Sequence, residues 1–384
     1  MQILFLTHRL PYPPDKGERI RAFHELKYLA AGHDIDLFCF ADSNEDAKHQ
    51  TACQNFCRTV YVEVLRKPAR LLRAARAGVC SQSMSCAFFH SPKFAERVRQ
   101  ALRQRPYDLI FVYCSSMGQF IPLDTSTPIV VDFVDADSAK WAQYAQSCGA
   151  PKSWLYAREA RAVAAAELEL RNRAALSLVT TAHDATELCG ANAGRSPVDV
   201  MPNGVEIPEL VTGECDAAIR GLQPFALFVG TMDYKPNSDA AEHFARNIFP
   251  KLRLRRPQLK FVIVGRNPDG KVRRLAALPG VTVTGSVPDV YKYFRNADIS
   301  VAPFRLSQGF HNKIAESLAV GTAVVTSGRA AAGIGLSEKE GLFAADTSEQ
   351  FVEIVDFVLS HSSLRQQLRA SSTTTRKLLS WEPH

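Results

Sequence analysis

Two series of short apolar runs, alternating with segments of helical periodicity, constrain the fold of this chain more than any other feature. The first series consists of the runs QILFLT, DIDLFCF, TVYVEVL, DLIFVY, PIVVDFV, LSLVT and VDVM. Segments such as RIRAFHELKYLA and SPKFAERVRQALRQ lie between them and have the period of an amphipathic helix. Continuous apolar strands separated by helices predict a parallel sheet covered on both faces, which is an α/β fold.

A segment rich in proline, glycine and acidic residues interrupts this rhythm. It reads PNGVEIPELVTGECDAAIRGLQP, and a second series of strands follows it: FALFVG, KFVIVG, GVTVTG, DISVAP and TAVVTS. We therefore expect a domain over residues 1–203, a linker over 204–222 and a second domain over 223–384. Two doubly wound, Rossmann-like domains of similar size should face each other across a cleft, with ligands beyond the carboxyl ends of the strands.

The composition is that of an ordinary globular protein. Of the 384 residues, 46% are hydrophobic and 22% are charged, and no run approaches the roughly 18 to 20 apolar residues of a membrane-spanning helix. The opening MQILFLTHRLPYPP reaches charge and proline too soon for a signal peptide. Nine cysteines without a C-x-x-C pair or a histidine partner at zinc spacing indicate reduced thiols in a cytoplasmic protein.

Residues 58–105 concentrate positive charge, with eleven Lys or Arg against two acids. Within this region RKPARLLRAARAG predicts a helix whose apolar residues are surrounded by basic ones: Arg66, Lys67, Arg70, Arg73 and Arg76. Such a basic amphipathic helix suits an anionic membrane surface, and a merely solvated helix face is the alternative that stays open. A nucleic-acid partner is not expected, because no aromatic platform or known binding motif accompanies the charge.

Strand ends of the second series predict a ligand site. Two strands end in Gly230-Thr231 and in Gly265-Arg266. A glycine at such a position lets the backbone approach a ligand, although a tight turn would explain it equally well. With the loop before the predicted helix 312–320, these ends would surround one pocket.

That helix supplies the main chemical argument. Gly309 relieves the preceding loop, and the first helical turn offers N–H groups, a positive dipole end and the charge of Lys313, all of which suit a pyrophosphate. Glu316, three residues after Lys313, could accept two hydrogen bonds from a ribose diol. The alternative is an i,i+3 ion pair on a surface helix, but the apolar residues around it favour a packed helix.

These stretches together resemble a known family. MPNGVE, FVGTMDYKPN, VIVG, GSVPDVYKYFRNADISVAPF and QGFHNKIAESLAVGTAVVTS are similar to the nucleotide-sugar domain of family 4 glycosyltransferases, which have the GT-B fold. LTHRLPYPPDKGERIRAFHELKYLA and VDFVDADSAKWAQYA look more narrowly like the sugar transferases associated with PEP-CTERM/exosortase exopolysaccharide loci. The resemblance covers essentially the whole chain.

The resemblance implies roles for residues of the second domain. Glu316 occupies the position of the second glutamate of an E-x7-E motif, which binds the donor ribose, and Gln308 stands where the first glutamate contacts the transferred sugar. The diphosphate would be received by the loop and helix start, and the base would be held by backbone contacts of another loop. The residues in question are Gly309, Phe310 and His311 for the diphosphate and Gly285, Ser286 and Val287 for the base.

Some implied positions depart from the family pattern. Thr231 stands where an arginine usually neutralises the diphosphate, so Lys235, with Lys313, must provide the charge. In the first domain Gly17 corresponds to the glycine-rich loop that faces the diphosphate, with Lys16 and Arg19 nearby.

Asp135 stands where many relatives have a histidine after the fifth strand, and it is our candidate for orienting the acceptor hydroxyl. It forms a D-x-D pair with Asp137, which we interpret as acceptor-side chemistry or a helix cap rather than a metal site. The leaving phosphate itself is the alternative group to take the acceptor proton.

The function implied is that of a retaining hexosyl-type glycosyltransferase. It would move a sugar from a nucleoside-diphosphate sugar to a saccharide or lipid-linked acceptor in exopolysaccharide biosynthesis, with no metal and no other cofactor required. We expect it in the cytoplasm, peripheral on the inner face of the cell membrane if residues 58–105 bind lipid. Two alternatives remain: a nucleotide-sugar epimerase of the same fold, and a weakened sugar-nucleotide binding protein, the latter suggested by Gln308 and Thr231.

Overall fold

The computed structural model describes residues 1–15, 17–79, 82–190, 196–207 and 216–382. The chain divides into two compact units, Met1–Met201 and Pro202–His384, so this division lies two residues before the predicted domain end at residue 203. Parts of the predictions above lie outside the described residues: Lys16, the cysteine at position 80, and residues 208–215 of the predicted linker, which include Cys215.

The described part of unit 1 contains a parallel sheet of seven strands in the order β3-β2-β1-β4-β5-β6-β7. The strands are β1 Gln2–Thr7, β2 Asp34–Ala41, β3 Thr59–Val64, β4 Leu109–Tyr113, β5 Ile129–Val134, β6 Leu176–Val179 and β7 Val198–Val200. The helices are α1 Gly17–Ala30, α2 Asn44–Ala47, α3 Gln50–Gln54, α4 Lys67–Val79, α5 Met84–Phe88, α6 Pro92–Gln104, α7 Asp137–Gln146, α8 Lys152–Arg173 and α9 Ala182–Cys189. A 3-10 turn, Ser115–Phe120, follows β4.

The described part of unit 2 contains a second parallel sheet, with six strands in the order β10-β9-β8-β11-β12-β13. The strands are β8 Phe225–Val229, β9 Lys260–Val264, β10 Val281–Gly285, β11 Ile299–Ala302, β12 Val324–Thr326 and β13 Leu342–Ala344. The helices are α10 Ala217–Arg220, α11 Lys235–His243, α12 Phe249–Arg255, α13 Gly270–Arg274, α14 Val290–Asn296, α15 Asn312–Ala319, α16 Gly328–Ile334, α17 Ser348–Ser360, α18 Ser362–Ala370 and α19 Ser372–Leu378. A π turn, Phe244–Ile248, joins α11 to α12.

Both sheets are covered on both faces, as the continuous apolar strands predict. In β1, Ile3 and Phe5 pack in one cluster with the α1 residue Leu26, whereas Leu4 and Leu6 belong to a cluster on the opposite face. Alternate residues of β8 divide in the same way between two clusters of unit 2. The predicted α/β class with two doubly wound, Rossmann-like units is therefore confirmed. No helix in the described ranges has the length and apolar character to span a bilayer.

Helix α8 is rich in charged residues, and two of them bind the ends of neighbouring helices. Glu159 has no exposed surface, and its carboxylate accepts hydrogen bonds from the Ser83 hydroxyl (2.9 Å) and from the N–H groups of Met84 and Ser85 (both 2.8 Å). Arg158 donates to the Ala77 carbonyl at 2.7 Å. Glu159 thus accepts hydrogen bonds from N–H groups at the N-terminus of α5, and Arg158 donates one to a carbonyl near the C-terminus of α4. Each charge has the sign that the dipole of its helix favours.

A buried ion pair ties α1 to the centre of unit 1. The Arg21 and Asp132 side chains are both fully buried, with Arg21 Nε 2.5 Å from Asp132 Oδ2. Arg21 also donates to the Met201 carbonyl at 2.8 Å, where the chain leaves unit 1. The other oxygen of Asp132 accepts the N–H of Val134 at 2.9 Å. One carboxylate thus fixes both the helix and the end of β5.

Loss of this carboxylate should destabilise unit 1 strongly. We expect Asp132→Ala to lower the free energy of unfolding by about 3–5 kcal/mol, because it removes the nearest acidic partner of the buried Arg21 and leaves that charge to Glu25, 3.1 Å from Arg21 Nε. Asp239→Ala is the matched control, since Asp239 pairs with the exposed Arg305 and an exposed pair contributes about 1 kcal/mol or less. Urea unfolding followed by circular dichroism measures both. An Asp132→Ala protein as stable as the control would contradict this account of the pair.

Candidate functional site

The residues of unit 2 that are predicted to bind the donor follow the strands at one edge of its sheet. All of its strand pairs are parallel, so the loops after the strands lie at the same edge. The predicted donor residues follow four of these strands. They are Gly230, Thr231 and Lys235 after β8, Gly265 and Arg266 after β9, Ser286 and Val287 after β10, and Gln308, Gly309, Phe310, His311, Lys313 and Glu316 after β11.

Hydrogen bonds join the strand ends at this edge. Gly230 N–H donates to the Val264 carbonyl and Gly265 N–H to the Gly285 carbonyl, both at 3.0 Å. A Cβ built on Gly265 would lie 1.7 Å from the Gly230 carbonyl oxygen. The sequence did not decide whether glycine is needed at position 265 for contact with a ligand or for a tight turn. The close approach of the Gly230 backbone explains why a residue without a side chain is needed there.

Lys313, in the first turn of α15, is partly buried and held in place. Its ammonium donates to Asn237 Oδ1 at 2.7 Å and lies 4.9 Å from the centre of the Phe304 ring. The Asn237 amide in turn donates to the Thr231 carbonyl at 2.9 Å, which connects α15 to the loop after β8. Burial lowers the pKa of Lys313 to about 8, and the nearby Glu316 carboxylate opposes this shift. The side chain still carries a positive charge in most molecules at neutral pH.

Glu316 lies one turn further along α15 and is also partly buried. Burial raises its pKa to about 7, opposed first by Lys313 and then by a hydrogen bond with Tyr291. The Tyr291 hydroxyl also lies 3.3 Å from the Glu206 carbonyl oxygen. Because Lys313 hydrogen-bonds to Asn237 rather than to Glu316, the geometry does not support the alternative of a surface i,i+3 ion pair.

The loop before α15 has a fixed conformation. His311 occupies the N-cap position of the helix but makes no capping hydrogen bond with its side chain. Its Nε2 lies 2.8 Å from the Ser307 hydroxyl, and its ring stacks on Phe304 with centroids 4.3 Å apart. Burial lowers the pKa of His311 to about 3, so the ring stays neutral. Gly309 has φ of 69°, which glycine adopts without strain. These contacts tie the loop to the start of α15.

Sequence reasoning missed three residues of this edge. Asn237 and Tyr291 are the hydrogen-bond partners of Lys313 and Glu316, and Arg329, in the first turn of α16, donates to Gln308 Oε1 at 2.7 Å. Arg329 follows the end of β12 by three residues. A position shortly after a strand was also the reason for predicting Gly230 and Gly265, so the same criterion could have found Arg329. The other two follow only from tertiary contacts.

The remaining predicted donor residues have simpler surroundings. Lys235 begins α11, and the Arg266 carbonyl accepts the N–H of Met232 at 2.9 Å. Ser286 and Val287 follow β10, and the Val287 side chain packs against the apolar cluster beneath the loop. The backbone of Val287, rather than its side chain, is therefore the part that a ligand could contact.

In unit 1 a strained turn places Asp135 at the end of β5. Val134 has φ of 67°, and the pairing of β5 with β6 shifts register between Asp132 and Val134. A β-branched residue in this left-handed region costs on the order of 1–2 kcal/mol, and bulges near sites often redirect a side chain. The hydrogen bond from Val134 N–H to Asp132 holds the turn.

The Asp135 carboxylate lies in an acidic environment. It accepts the Thr180 hydroxyl at 3.2 Å. Burial raises the pKa of Asp135 to about 7, with a further contribution from Asp184 and an opposing one from Lys140. Asp137 begins α7 and pairs with Lys140. Asp135 can therefore exchange a proton near neutral pH.

Two basic positions of unit 1 differ from their predicted surroundings. Gly17, expected in a glycine-rich loop, is the first residue of α1, and the nearby Arg19 is buried and pairs with Asp46 at 2.8 Å. Its charge is engaged within unit 1. Arg70 of α4 is likewise buried, with Nη1 2.6 Å from Asp42 Oδ1. In both cases an acid distant in sequence supplies the partner.

Aromatic residues near the same edge have packing roles. His8 is buried beside Tyr113 and Phe89, with ring centroids 5.9 and 5.2 Å apart, and burial lowers its pKa to about 3. Trp141 and Tyr144 form a ring cluster with Tyr156 of α8. These contacts hold α7 against α8.

Comparison with known proteins agrees with this architecture. A family model described as "Glycosyl transferase 4-like domain" matches residues 22–204, and one described as "Glycosyl transferases group 1" matches residues 223–361. A curated protein, phosphatidyl-myo-inositol mannosyltransferase of Mycolicibacterium smegmatis, is 33% identical over 135 residues. That alignment covers 33% of this chain and 33% of the relative's length.

Solved structures share the fold along nearly the whole chain. Sucrose-phosphate synthase from Thermosynechococcus elongatus has a TM-score of 0.71 at 16% identity, covering 100% of this chain and 96% of that one. HepE of Anabaena, in complex with UDP and glucose, has a TM-score of 0.65 at 15% identity, covering 99% and 95%. The glycosyltransferase WaaG has 0.62 at 17%, covering 98% and 95%. These likenesses show the GT-B fold, and the two family models, which together match residues 22–204 and 223–361, identify the chain as a member of the glycosyl transferases.

Proposed function

We propose that this enzyme is a family 4, retaining hexosyl-type transferase whose unit 2 binds a nucleoside-diphosphate sugar. The observation that carries the proposal is the start of α15, where Lys313 and Glu316 are both partly buried at the carboxyl edge of the sheet. Burying an acid and a base away from ion-pair contact costs free energy, and a ligand that uses both charges would offset this cost.

The diphosphate binds at the N-terminus of α15. The N–H groups of the first turn and the dipole of the helix favour an anion there. Lys313 adds a full charge from a position fixed by Asn237, and Lys235 at the start of α11 adds a second. As the bond to the sugar breaks, charge develops on the diphosphate, and these preorganised groups stabilise it.

Glu316 accepts hydrogen bonds from the ribose hydroxyls. Its carboxylate lies one turn from Lys313 on the same helix, so the ribose and the diphosphate contact neighbouring parts of α15. Tyr291 supports the carboxylate, and the loop at Ser286 and Val287 holds the base through its backbone. The bound UDP in the HepE structure supports a nucleotide donor for this fold.

Asp135 acts on the acceptor side in this proposal. It orients the acceptor hydroxyl and accepts its proton, which a carboxyl with a pKa of about 7 does efficiently near neutral pH. Transfer to a saccharide or lipid-linked acceptor in exopolysaccharide biosynthesis is the role we propose, supported by the resemblance to PEP-CTERM-associated transferases. Both family models describe glycosyl transferases, so the comparisons do not favour an epimerase.

We further propose that α4 docks this cytoplasmic enzyme on an anionic membrane. Leu71 and Leu72 are 53% and 64% exposed, and three basic residues near them are exposed as well: Lys67 and Arg76 on the helix and Arg66 directly before it. Apolar side chains flanked by cations suit the boundary between lipid headgroups and acyl chains. The mannosyltransferase relative is named for a phosphatidyl-inositol lipid, which supports a lipid-linked acceptor.

Removal of the Glu316 charge tests the donor site. We expect Glu316→Gln to weaken nucleoside-diphosphate binding by about 1.5–3 kcal/mol, the contribution of hydrogen bonds to a charged group. Calorimetric titration with UDP, GDP and ADP measures the effect. Glu242→Gln is the control, because Glu242 pairs with Arg246 at the surface of unit 2. The comparison uses whichever of the three nucleotides the parent protein binds. If the Glu316 variant binds that nucleotide with the same affinity as the parent, the assignment is refuted.

Charge reversal on two helices tests the membrane surface. Replacing Arg66, Lys67 and Arg76 by Glu should reduce binding to phosphatidylglycerol vesicles by at least about 100-fold, since each basic residue near the surface contributes about 1 kcal/mol. Three exposed arginines of α6, Arg97, Arg99 and Arg103, carry the same substitution in the control. Co-sedimentation measures both proteins. If the α6 variant loses binding and the α4 variant keeps it, α4 is not the docking helix.

A further inference from the structure

Glu25 of α1 is a buried acid whose two oxygens receive no hydrogen bond from the described residues. The residue is 7% exposed, and Glu25 Oε1 lies 3.1 Å from Arg21 Nε. The single N–H of that nitrogen is directed at Asp132 Oδ2, 2.5 Å away, and is therefore already used. An ionised carboxylate at position 25 would be buried without the hydrogen bonds that it needs, which is strongly unfavourable.

Asp132, on β5, has the surroundings of an ionised carboxylate instead. Its Oδ2 accepts from Arg21 Nε, and its Oδ1 accepts the N–H of Val134 at 2.9 Å. Because Asp132 and Glu25 both contact the same nitrogen of Arg21, their carboxyl groups are neighbours in one buried space. Two negative charges so close together do not both form readily, and a carboxyl that keeps its proton has an O–H donor for its neighbour.

The environment of Glu25 supports the same assignment of the proton. Burial raises the pKa of Glu25 well above its ordinary value, with a further rise from Asp132 and an opposing contribution from Arg21. Tyr113 of β4 also faces this group of charges. Burial raises the pKa of Tyr113 well above its usual range, and its hydroxyl donates to the Glu18 carbonyl at 2.8 Å. Tyr113 is therefore a neutral phenol whose proton is directed away from the two acids.

We propose that Glu25 keeps its proton in the folded protein and donates it to Asp132, so that the two acids share one proton beside Arg21. The pair is a pH-sensitive switch within unit 1. This inference concerns the folded state of unit 1 and does not rest on the proposed donor site.

Loss of the shared proton at alkaline pH affects contacts beyond the pair. A second negative charge then competes with Asp132 for Arg21. Asp132 also holds the N–H of Val134, in the turn before Asp135, and Arg21 also donates to the carbonyl of Met201, the last residue of unit 1. The turn and the end of unit 1 are thus both linked to one protonation equilibrium.

Urea unfolding of the parent and of Glu25→Gln at several pH values tests the inference. Glutamine keeps the shape of the protonated acid and an N–H donor but cannot ionise. An unfolded glutamate loses its proton near pH 4.3, whereas the folded protein keeps it, so the parent becomes less stable as the pH rises toward the raised pKa. We expect the ratio of the parent's unfolding constant to that of Glu25→Gln to rise at least about 10-fold between about pH 5.5 and pH 7.5.

Two further variants serve as controls. Glu242→Gln removes a surface acid of unit 2, and its ratio to the parent should stay constant over the same pH range. Asp132→Asn removes the charge that faces Arg21, and its unfolding constant at neutral pH should exceed that of Glu25→Gln by at least about 10-fold.

Infrared spectroscopy detects the proton without unfolding the protein. The parent at neutral pH should show the carbonyl band of a protonated carboxyl group that Glu25→Gln lacks. Absence of this band, or an unfolding ratio that does not change with pH, would overturn the inference. A Glu25→Gln protein that fails to fold while Asp132→Asn is stable would place the proton on Asp132 and would contradict the inference as well.

Discussion

Parallel pairing of the strands is the constraint on which the rest of the structure depends. Each strand pair found in the described parts of the two sheets is parallel, so each connection must cross from one end of the sheet to the other. Loops that follow the strands then collect at a single edge in each unit. In unit 2 this brings residues more than 90 positions apart, such as Thr231 and Arg329, to the same edge. The site therefore needs no special folding device beyond the sheet itself.

The two edges keep their reactive groups in place by different means. In unit 2 the start of α15 is fixed by side chains, with Asn237 holding Lys313 and Ser307 holding His311. In unit 1 the position of Asp135 depends on a strained residue, Val134, whose N–H is held by Asp132. The strained conformation of Val134 is maintained because Asp132 is itself held by the buried Arg21. A helix start suits the binding of a large anion, and a rigid turn suits one carboxylate that must meet a hydroxyl.

Sequence patterns predicted the strands well, because a strand buried on both faces must be apolar throughout. The runs QILFLT and FALFVG correspond to β1 and β8 almost residue for residue. Strand β13, Leu342–Ala344, was not among the predicted runs. Residues that follow strands, such as Glu316 and Asp135, could also be placed at an edge from the sequence.

Partners that come from distant parts of the chain could not be predicted in this way. Arg70 belongs to a basic helix for which a solvated face stayed open, yet it is buried and pairs with Asp42. Glu159 lies on a charge-rich helix, yet it is buried against the N-terminus of α5. The prediction failed because burial of a charge depends on its partner, which the local sequence does not contain. Tyr291 was not predicted for the same reason, because its contact with Glu316 is a tertiary contact between α14 and α15.

The central claim is that the start of α15 is the donor clamp of this glycosyltransferase, and a crystal structure of the chain with bound UDP tests it most directly. The account predicts the diphosphate within hydrogen-bond distance of N–H groups in residues 310–313 and of Lys313 Nζ, with the ribose hydroxyls on the Glu316 carboxylate. UDP bound at the edge of unit 1, or in unit 2 with its ribose away from Glu316, would contradict the account.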